Sequence, residues 1–270
     1  MGYMGKERIF RVFDPLHIPK INKTDCVLHI SSFLQESKEK SDRREGDSPR
    51  DFNCIKSLIG EISNQRISNR EGFRLDAVIS INGHVENQEY IDYLKSINGT
   101  VIGNNVHITI FQRPNVGWQW GGFHDVWMRY KDIDCNWYAT MEGDVFFSND
   151  TWFDYFVNKN KILHGQNSRK FNTIDPKEYN GPIPPEVWRD ENNNVLNASV
   201  NDTAHTRGGF YICQKSFLQH MDNVYGCFTH AMGCNMWFDA IILGEVAFCQ
   251  KATALGYELI KDENVLGVRE

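Results

Sequence analysis

The sequence has no long apolar run, no paired cysteines and no surplus of positive charge, and each lack narrows what the chain can be. No stretch approaches the roughly 18 apolar residues of a membrane-spanning helix. The opening Met-Gly-Tyr-Met-Gly-Lys-Glu has no apolar leader core. Gly2 is not set in an acylation motif, because position 6 is Lys rather than Ser or Thr. With neither leader nor span, the expected location is cytoplasmic. The seven cysteines (Cys26, Cys54, Cys135, Cys213, Cys227, Cys234 and Cys249) are odd in number, scattered and without a Cys-x-x-Cys pair. That spacing disfavours both a zinc cluster and a disulfide framework, and predicts reduced, partly buried thiols. Five Asn-x-Ser/Thr sequons, at Asn22, Asn98, Asn149, Asn197 and Asn201, are then chance matches in an Asn-rich chain. The net charge of -6 excludes a general nucleic-acid or anionic-membrane binder.

What is present is core-forming. The 270 residues are 41% hydrophobic and 13% aromatic, which suits a well-packed soluble globule. Buried-strand patterns occur at Cys26–Phe33, Leu75–Ile81, Val106–Phe111 and Trp137–Met141. Helical spacing separates them at Phe52–Gln65, Tyr90–Ile97 and Gly121–Lys131. This alternation predicts an α/β sandwich with a mainly parallel central sheet. In the second half, Gly208–Cys213 and Tyr257–Ile260 read as strands. A short helix is expected from Lys215, and the longest helical pattern runs from Trp237 to Leu255. Residues 36–51 are mostly charged and read as a flexible insertion. Residues 171–203 hold four of the eight prolines without periodicity, which suits a substrate-covering loop. With no repeat and no clean linker, residues 1–270 are expected to be a single domain. The chain stops soon after the last expected strand, so it is also read as one module of a longer protein.

The candidate chemistry sits at strand ends. In open α/β sheets, ligands bind beyond the carboxyl ends of the strands. Four such ends carry polar or Gly-rich residues: His29-Ile-Ser-Ser32, Asn82-Gly-His84, Arg113-Pro-Asn-Val-Gly117 and Glu142-Gly-Asp144. At the last, two carboxylates separated only by Gly143 end a core strand. Carboxylates are rarely left there without a positive partner. A divalent cation that also binds phosphate oxygens is the usual occupant. Read alone, an ordinary strand-to-turn Asp with a Gly for chain reversal explains the residues as well.

The order of these segments resembles the GT-A glycosyltransferases. Arg113-Pro-Asn-Val-Gly117-Trp-Gln-Trp-Gly121 resembles their Asn-x-Gly segment, and Glu142-Gly143-Asp144 resembles their Asp-x-Asp motif with Glu in the first place. Gly208-Gly209-Phe-Tyr-Ile is similar to the family's Gly-Gly acceptor strand. Gly244-Glu245 through Gly256-Tyr257 is similar to its Glu-Asp helix, with Val246 where the family has Asp. The resemblance implies a GT-A (Rossmann-like) α/β/α sandwich and a metal-dependent transferase. It would move a sugar from a nucleotide-sugar, with a UDP-sugar favoured, to a glycan hydroxyl. Asp144 is then the ligand of Mn2+ or Mg2+, and Glu142 reaches the ribose or the metal's outer shell beside Gly143. Ser31, Ser32, Asn82, Arg113 and Asn115 are the implied donor-site residues. Arg113 is expected to offset phosphate charge. Trp118, Trp120, His205, Arg207, Gly208 and Gly209 are assigned to the sugar or acceptor. Glu245 is the implied general base, with Asp239 in reserve, which favours an inverting single displacement. A retaining enzyme of the same fold, a nucleotidyltransferase and a non-catalytic carbohydrate-binding module are the alternatives. The nucleotidyltransferase reading lacks its Gly-rich basic loop after the first strand.

Overall fold

The computed structural model describes residues 11–33, 52–64, 72–85, 87–143, 145–147, 151, 153–154, 163–166, 207–234, 240–257, 259–262 and 266–268. The expected insertion at 36–51 and the expected loop at 171–203 lie outside them. In chain order the elements are β1 (Cys26–Ser32), α1 (Phe52–Ser63), β2 (Leu75–Asn82), α2 (Gln88–Ile97), β3 (Val101–Ile102) and β4 (Val106–Arg113). Next come α3 (Trp118–Tyr130), β5 (Trp137–Glu142), β6 (Val145–Phe147), β7 (Leu163–Gln166), β8 (Arg207–Gln214) and α4 (Lys215–Tyr225). A π-helical turn (Ile241–Val246) leads into α5 (Ala247–Ala254), followed by β9 (Leu259–Asp262) and β10 (Leu266–Val268).

The apolar runs become central strands because both of their faces are covered. Every residue of β1 and β2 is buried, which near-continuous Val, Ile and Leu runs require in a parallel sheet. Among the described residues the sheet has eight strands in the order β3-β4-β2-β1-β5-β8-β7-β9. β4, β2, β1 and β5 are mutually parallel. β7 and β9 share their direction, while β3 and β8 run the other way. The fold is a Rossmann-like α/β sandwich with a mainly parallel central sheet, as the alternating pattern predicts.

Side-chain alternation divides the core in two. One layer joins Leu28, Ile30, Ala77, Ile79, Ala139 and Met141 to α1 and α2 through Ile55, Leu58, Ile91 and Leu94. The other joins Val27, Val78 and Tyr138 to α3, α4 and α5 through Phe123, Trp127, Phe217 and Phe248. The chain lays down β1, then β2 and β4 on one side, and returns to place β5 on the other side of β1. The order therefore reverses between β1 and β5, and their carboxyl ends flank the crevice where doubly wound sheets bind ligands.

Of the helical pattern from Trp237 to Leu255, residues 240–254 are described and are helical throughout, with the π-helical turn running into the eight-residue α5. The turn brings Gly244 against Trp120, where any Cβ would collide with the indole ring. Among the described residues the longest α-helix is α3, which starts at Trp118 rather than Gly121.

Candidate active site

The parallel register lines up the polar strand ends. Ser31 on β1 is the register partner of Ser80 on β2 and of Glu142 on β5. Asn82 on β2 is the partner of Arg113 on β4. The backbone continues the alignment past β5, where Gly143 N–H donates to the Ser31 carbonyl at 2.8 Å. Gly143 is glycine for a steric reason: a Cβ there would lie 2.5 Å from Ile55 Cδ1 of α1 and 3.2 Å from the Ser31 carbonyl oxygen. Ser31, Ser32, Asn82, Arg113, Asn115, Glu142 and Gly143 thus share the carboxyl edge of the sheet. Asp144 lies outside the described residues.

Beneath that edge runs a buried polar network. Arg113 donates through Nε to Asp125 at 2.7 Å, through Nη1 to Asn82 Oδ1 at 2.9 Å and through Nη2 to the Val116 carbonyl at 2.8 Å. Asn82 Nδ2 lies 3.1 Å from Ser31 Oγ, 3.2 Å from the Ser32 carbonyl and 3.3 Å from Ser80 Oγ. The His29 ring spans two strands, with Nε2 2.8 Å from Ser80 Oγ and Nδ1 2.8 Å from Thr140 Oγ1. Gln119 Nε2 donates to the same Thr140 hydroxyl at 3.3 Å. Burial, reinforced by the positive charge of Arg113, pushes the His29 imidazole down to about 3. A neutral ring has one donor and one acceptor nitrogen, so one hydroxyl donates to it and the other accepts. Satisfied networks of this kind fix one geometry.

These contacts change the part given to Arg113. Expected to meet phosphate, its guanidinium has three donors engaged by protein and a side chain only 10% exposed. It ties the β4 end to the β2 end and to α3. Two glycines let α3 lie this close. A Cβ on Gly121 would collide with the Val116 carbonyl oxygen, and one on Gly122 would lie 2.6 Å from His29 Nε2.

The two tryptophans separate. Trp120 is 3% exposed and packs in the core against Tyr211 at 5.1 Å and Phe248 at 4.8 Å between ring centroids. Its assignment to a sugar is corrected: the indole faces inward and offers no exposed face for stacking. Trp118, two positions earlier, is half-buried at the start of α3 against Phe33, with ring centroids 5.0 Å apart.

On the far side of β5, β8 runs antiparallel, with Phe210 opposite Met141. Gly208 and Gly209 precede Phe210 on β8 and so run beyond Met141, at the edge that holds Glu142. The register of β8 with β7 breaks there: Gly165 pairs with Tyr211, but Gln166 pairs with Arg207. Glu245 lies in the π-helical turn and is only 7% exposed. Gly244, next to it, abuts Trp120 in the first turn of α3. Single π turns inside helices recur at functional sites. The segment from Cys227 to Cys234 bridges these two parts. His230 N–H donates to the Leu243 carbonyl at 3.1 Å, and Gly117 N–H to the Cys234 carbonyl at 2.7 Å. Behind it, Lys251 is fully buried and donates to the Cys227 carbonyl at 2.8 Å. Burial pushes its ammonium down to about 8. His205 and Asp239 lie outside the described residues.

For a divalent cation, the described donor set is Glu142, half-buried at the strand end. No group of three or more His, Cys, Asp or Glu that could enclose a metal occurs among the described residues. One carboxylate does not by itself make a cation site, and the motif's second acid, Asp144, lies outside the described residues. No described helix is long and apolar enough to cross a membrane.

No protein-family model matches the chain, and no curated protein matches it in sequence. Among solved structures it is similar to S. aureus TarS. The likeness to TarS 1–349 in complex with UDP-GlcNAc has 10% identity and a TM-score of 0.48, covering 92% of this chain and 59% of that one. For TarS 1–349 in complex with UDP the values are 9% and 0.48, covering 92% and 61%. For another TarS crystal structure they are 9% and 0.46, covering 92% and 37%. The chain therefore spans between 37% and 61% of the length of these TarS chains.

Proposed function

We propose that the chain is a glycosyltransferase that takes a UDP-sugar as donor and a glycan hydroxyl as acceptor, with inversion at the anomeric carbon. One observation carries the reading. Glu142, the first residue of the Glu142-Gly143-Asp144 motif, ends β5 at the point where the strand order reverses, in register with Ser31 of β1. A doubly wound sheet offers its ligand crevice at that point.

In this reading Asn115 faces the nucleoside, and Ser31, Ser32 and Asn82, all buried, act behind it by shaping the strand ends, with Arg113 holding the Asn82 amide. Asp144, with Glu142 beside it, would hold Mn2+ or Mg2+. The bound cation would act as a Lewis acid that offsets charge on the departing diphosphate. The acceptor oxygen attacks the anomeric carbon as the bond from that carbon to the diphosphate oxygen breaks. The acceptor proton passes to the Glu245 carboxylate, and UDP leaves. The place of Glu245 in the π-helical turn supports it as the base, because such distortions recur at functional sites. Gly208 and Gly209 leave backbone space for the acceptor beside β5, and His205 and Arg207 would meet the diphosphate. A carbohydrate-binding module would need tryptophans on the surface, and Trp120, Trp127 and Trp137 are in the core.

The test is a donor screen. The full chain is incubated with Mn2+ and a panel of UDP-, GDP- and dTDP-sugars, and hydrolysis is followed by NMR. A UDP-sugar should be consumed fastest, and excess EDTA or Asp144→Ala should nearly abolish turnover. Full activity in EDTA would remove the metal assignment, and preference for GDP would remove the UDP assignment.

A further inference from the structure

The turn after β4 holds two buried polar atoms with no hydrogen-bond partner among the described residues: Asn115 Oδ1, an acceptor, and Trp118 Nε1–H, a donor. Burying such groups unpaired is unfavourable, and few survive in native proteins without a ligand or ordered water to meet them. The backbone beside them is strained as well. Gly117 has φ 72° and Trp118 has φ 52°, a left-handed conformation that a bulky side chain rarely adopts. Strain of this kind collects at ligand sites, where surrounding contacts enforce it.

Those contacts are visible. Arg113 Nη2 grips the Val116 carbonyl at 2.8 Å, and Val116 N–H donates to the Pro114 carbonyl at 2.8 Å. Gly117 is held by Cys234, and a Cβ on it would lie 2.5 Å from the Ala231 carbonyl oxygen. The turn backbone is therefore held at both ends. It also lies at the carboxyl end of β1, because the Trp118 ring packs against Phe33, the residue after that strand.

We propose that Asn115 and Trp118 are a specificity pair for the amide or imide edge of the donor. Asn115 Oδ1 accepts the N–H of that edge, and Trp118 Nε1–H donates to its C=O. The inference rests on the nucleotide-sugar reading and deepens it. Two parts of a nucleotide-sugar carry this chemistry: the uracil imide and the acetamido group of an N-acetylhexosamine. Cytosine has a bare ring nitrogen where uracil has N3–H, and a plain hexose has a hydroxyl in place of the acetamide.

Calorimetric titration of the full chain in Mn2+ separates the two sources. The base arm compares UDP with CDP and with 3-methyl-UDP, which has lost the imide proton. The sugar arm compares UDP-N-acetylglucosamine with UDP-glucose. One arm should show a preference of about tenfold or more for the ligand that bears the edge, as expected when a buried polar group is left unmatched. In Trp118→Phe and Asn115→Ala the same preference, for UDP over CDP or for the acetamido sugar over glucose, should shrink toward unity. The 3-methyl-UDP and UDP-glucose measurements need only the unaltered protein, so they decide the matter even if a variant does not fold. Equal binding within both arms, or full discrimination retained by both variants, overturns the specificity pair and leaves the transferase reading standing. Failure of the unaltered chain to bind any UDP ligand overturns both.

Discussion

Toward α1 and α2, β1 presents Cys26, Leu28 and Ile30; toward α3 the same strand presents Val27, then His29 and Ser31. β2 and β5 repeat the contrast. Ala77, Ile79 and Ile81, like Ala139 and Met141, join the first layer. Val78 and Tyr138 begin the second, but Ser80, Asn82 and Thr140 continue it. One face is apolar to its end and supplies burial. The other exchanges burial for a hydrogen-bonded lattice over its last turn of strand, beneath the crevice. Substitutions on the first face should change stability alone, and those on the second should change ligand handling as well.

The largest effect expected tests the chemistry at the α3 side. Glu245→Gln keeps the side-chain shape but cannot take the acceptor proton. Transfer should fall by about 100- to 10,000-fold, in the catalytic step, with donor affinity kept. The product formed by the unaltered enzyme should have the opposite anomeric configuration to the donor. NMR of the product would expose the error if configuration is retained, since no acceptor-side base is then needed.

On the other face, Leu58→Ala in α1 removes a fully buried side chain. A loss of about 2–5 kcal/mol is expected from urea unfolding. UDP affinity of the remaining folded protein should be unchanged. A large drop in affinity would show that the apolar face also shapes the crevice.

Acid should act through the polar face. Folding depresses the His29 pKa from 6.5 to about 3, so the unfolded chain binds the proton first as pH falls. Its neutral form supports the fold fully above 6.5, and that support drains away down to about 3. At pH 5 the loss is roughly 2 kcal/mol at 1.36 kcal/mol per pH unit. His29→Gln should flatten this limb in urea midpoints measured at pH 5 and pH 7. An unchanged slope would place the acid sensitivity elsewhere.

Much of this was legible beforehand because buried parallel strands are short apolar runs with polar ends, and β1, β2, β4 and β5 stand within two residues of their expected bounds. β6, β7 and β10, of three or four residues, are too short to show a period. The early start of α3 depends on left-handed backbone at Gly117 and Trp118, which a Trp does not announce. Trp118 and Trp120 look alike in sequence, yet two positions on a helix turn them about 200° apart, one to Phe33 at the end of β1 and one to the core. The network was missed although it had a signal: His29 and Ser31, Ser80 and Asn82, and Thr140 and Glu142 are polar pairs at i and i+2, each on one face of an otherwise apolar strand. The contacts of Arg113 are not legible either, because charge alone does not show that Asp125, twelve residues on, returns beside it on α3.

The smallest effects make the sharpest comparison, because one added methyl probes each face in turn. Gly122→Ala pushes a Cβ to 2.6 Å from His29 Nε2 and 2.9 Å from Ser80 Oγ. Neither atom can withdraw without breaking the bond between them, so about 1–3 kcal/mol should be lost, as in other overpacked cores. Gly143→Ala brings a Cβ equally close, 2.5 Å from Ile55 Cδ1, but that atom ends a flexible side chain, and the Ser31 carbonyl oxygen at 3.2 Å has only a few tenths of an ångström to give. A rotamer adjustment of Ile55 costs about 0.5–1.5 kcal/mol. The loss of glycine's freedom in the unfolded chain offsets about 0.4–1 kcal/mol of that. Gly143 is not at positive φ, so alanine meets no backbone strain there. Urea midpoints should then place Gly143→Ala within about 1 kcal/mol of the unaltered protein and clearly above Gly122→Ala. If the two variants lose equal stability, the apolar face is as unyielding as the hydrogen-bonded one. The rigidity assigned to the network would then belong to the whole sheet.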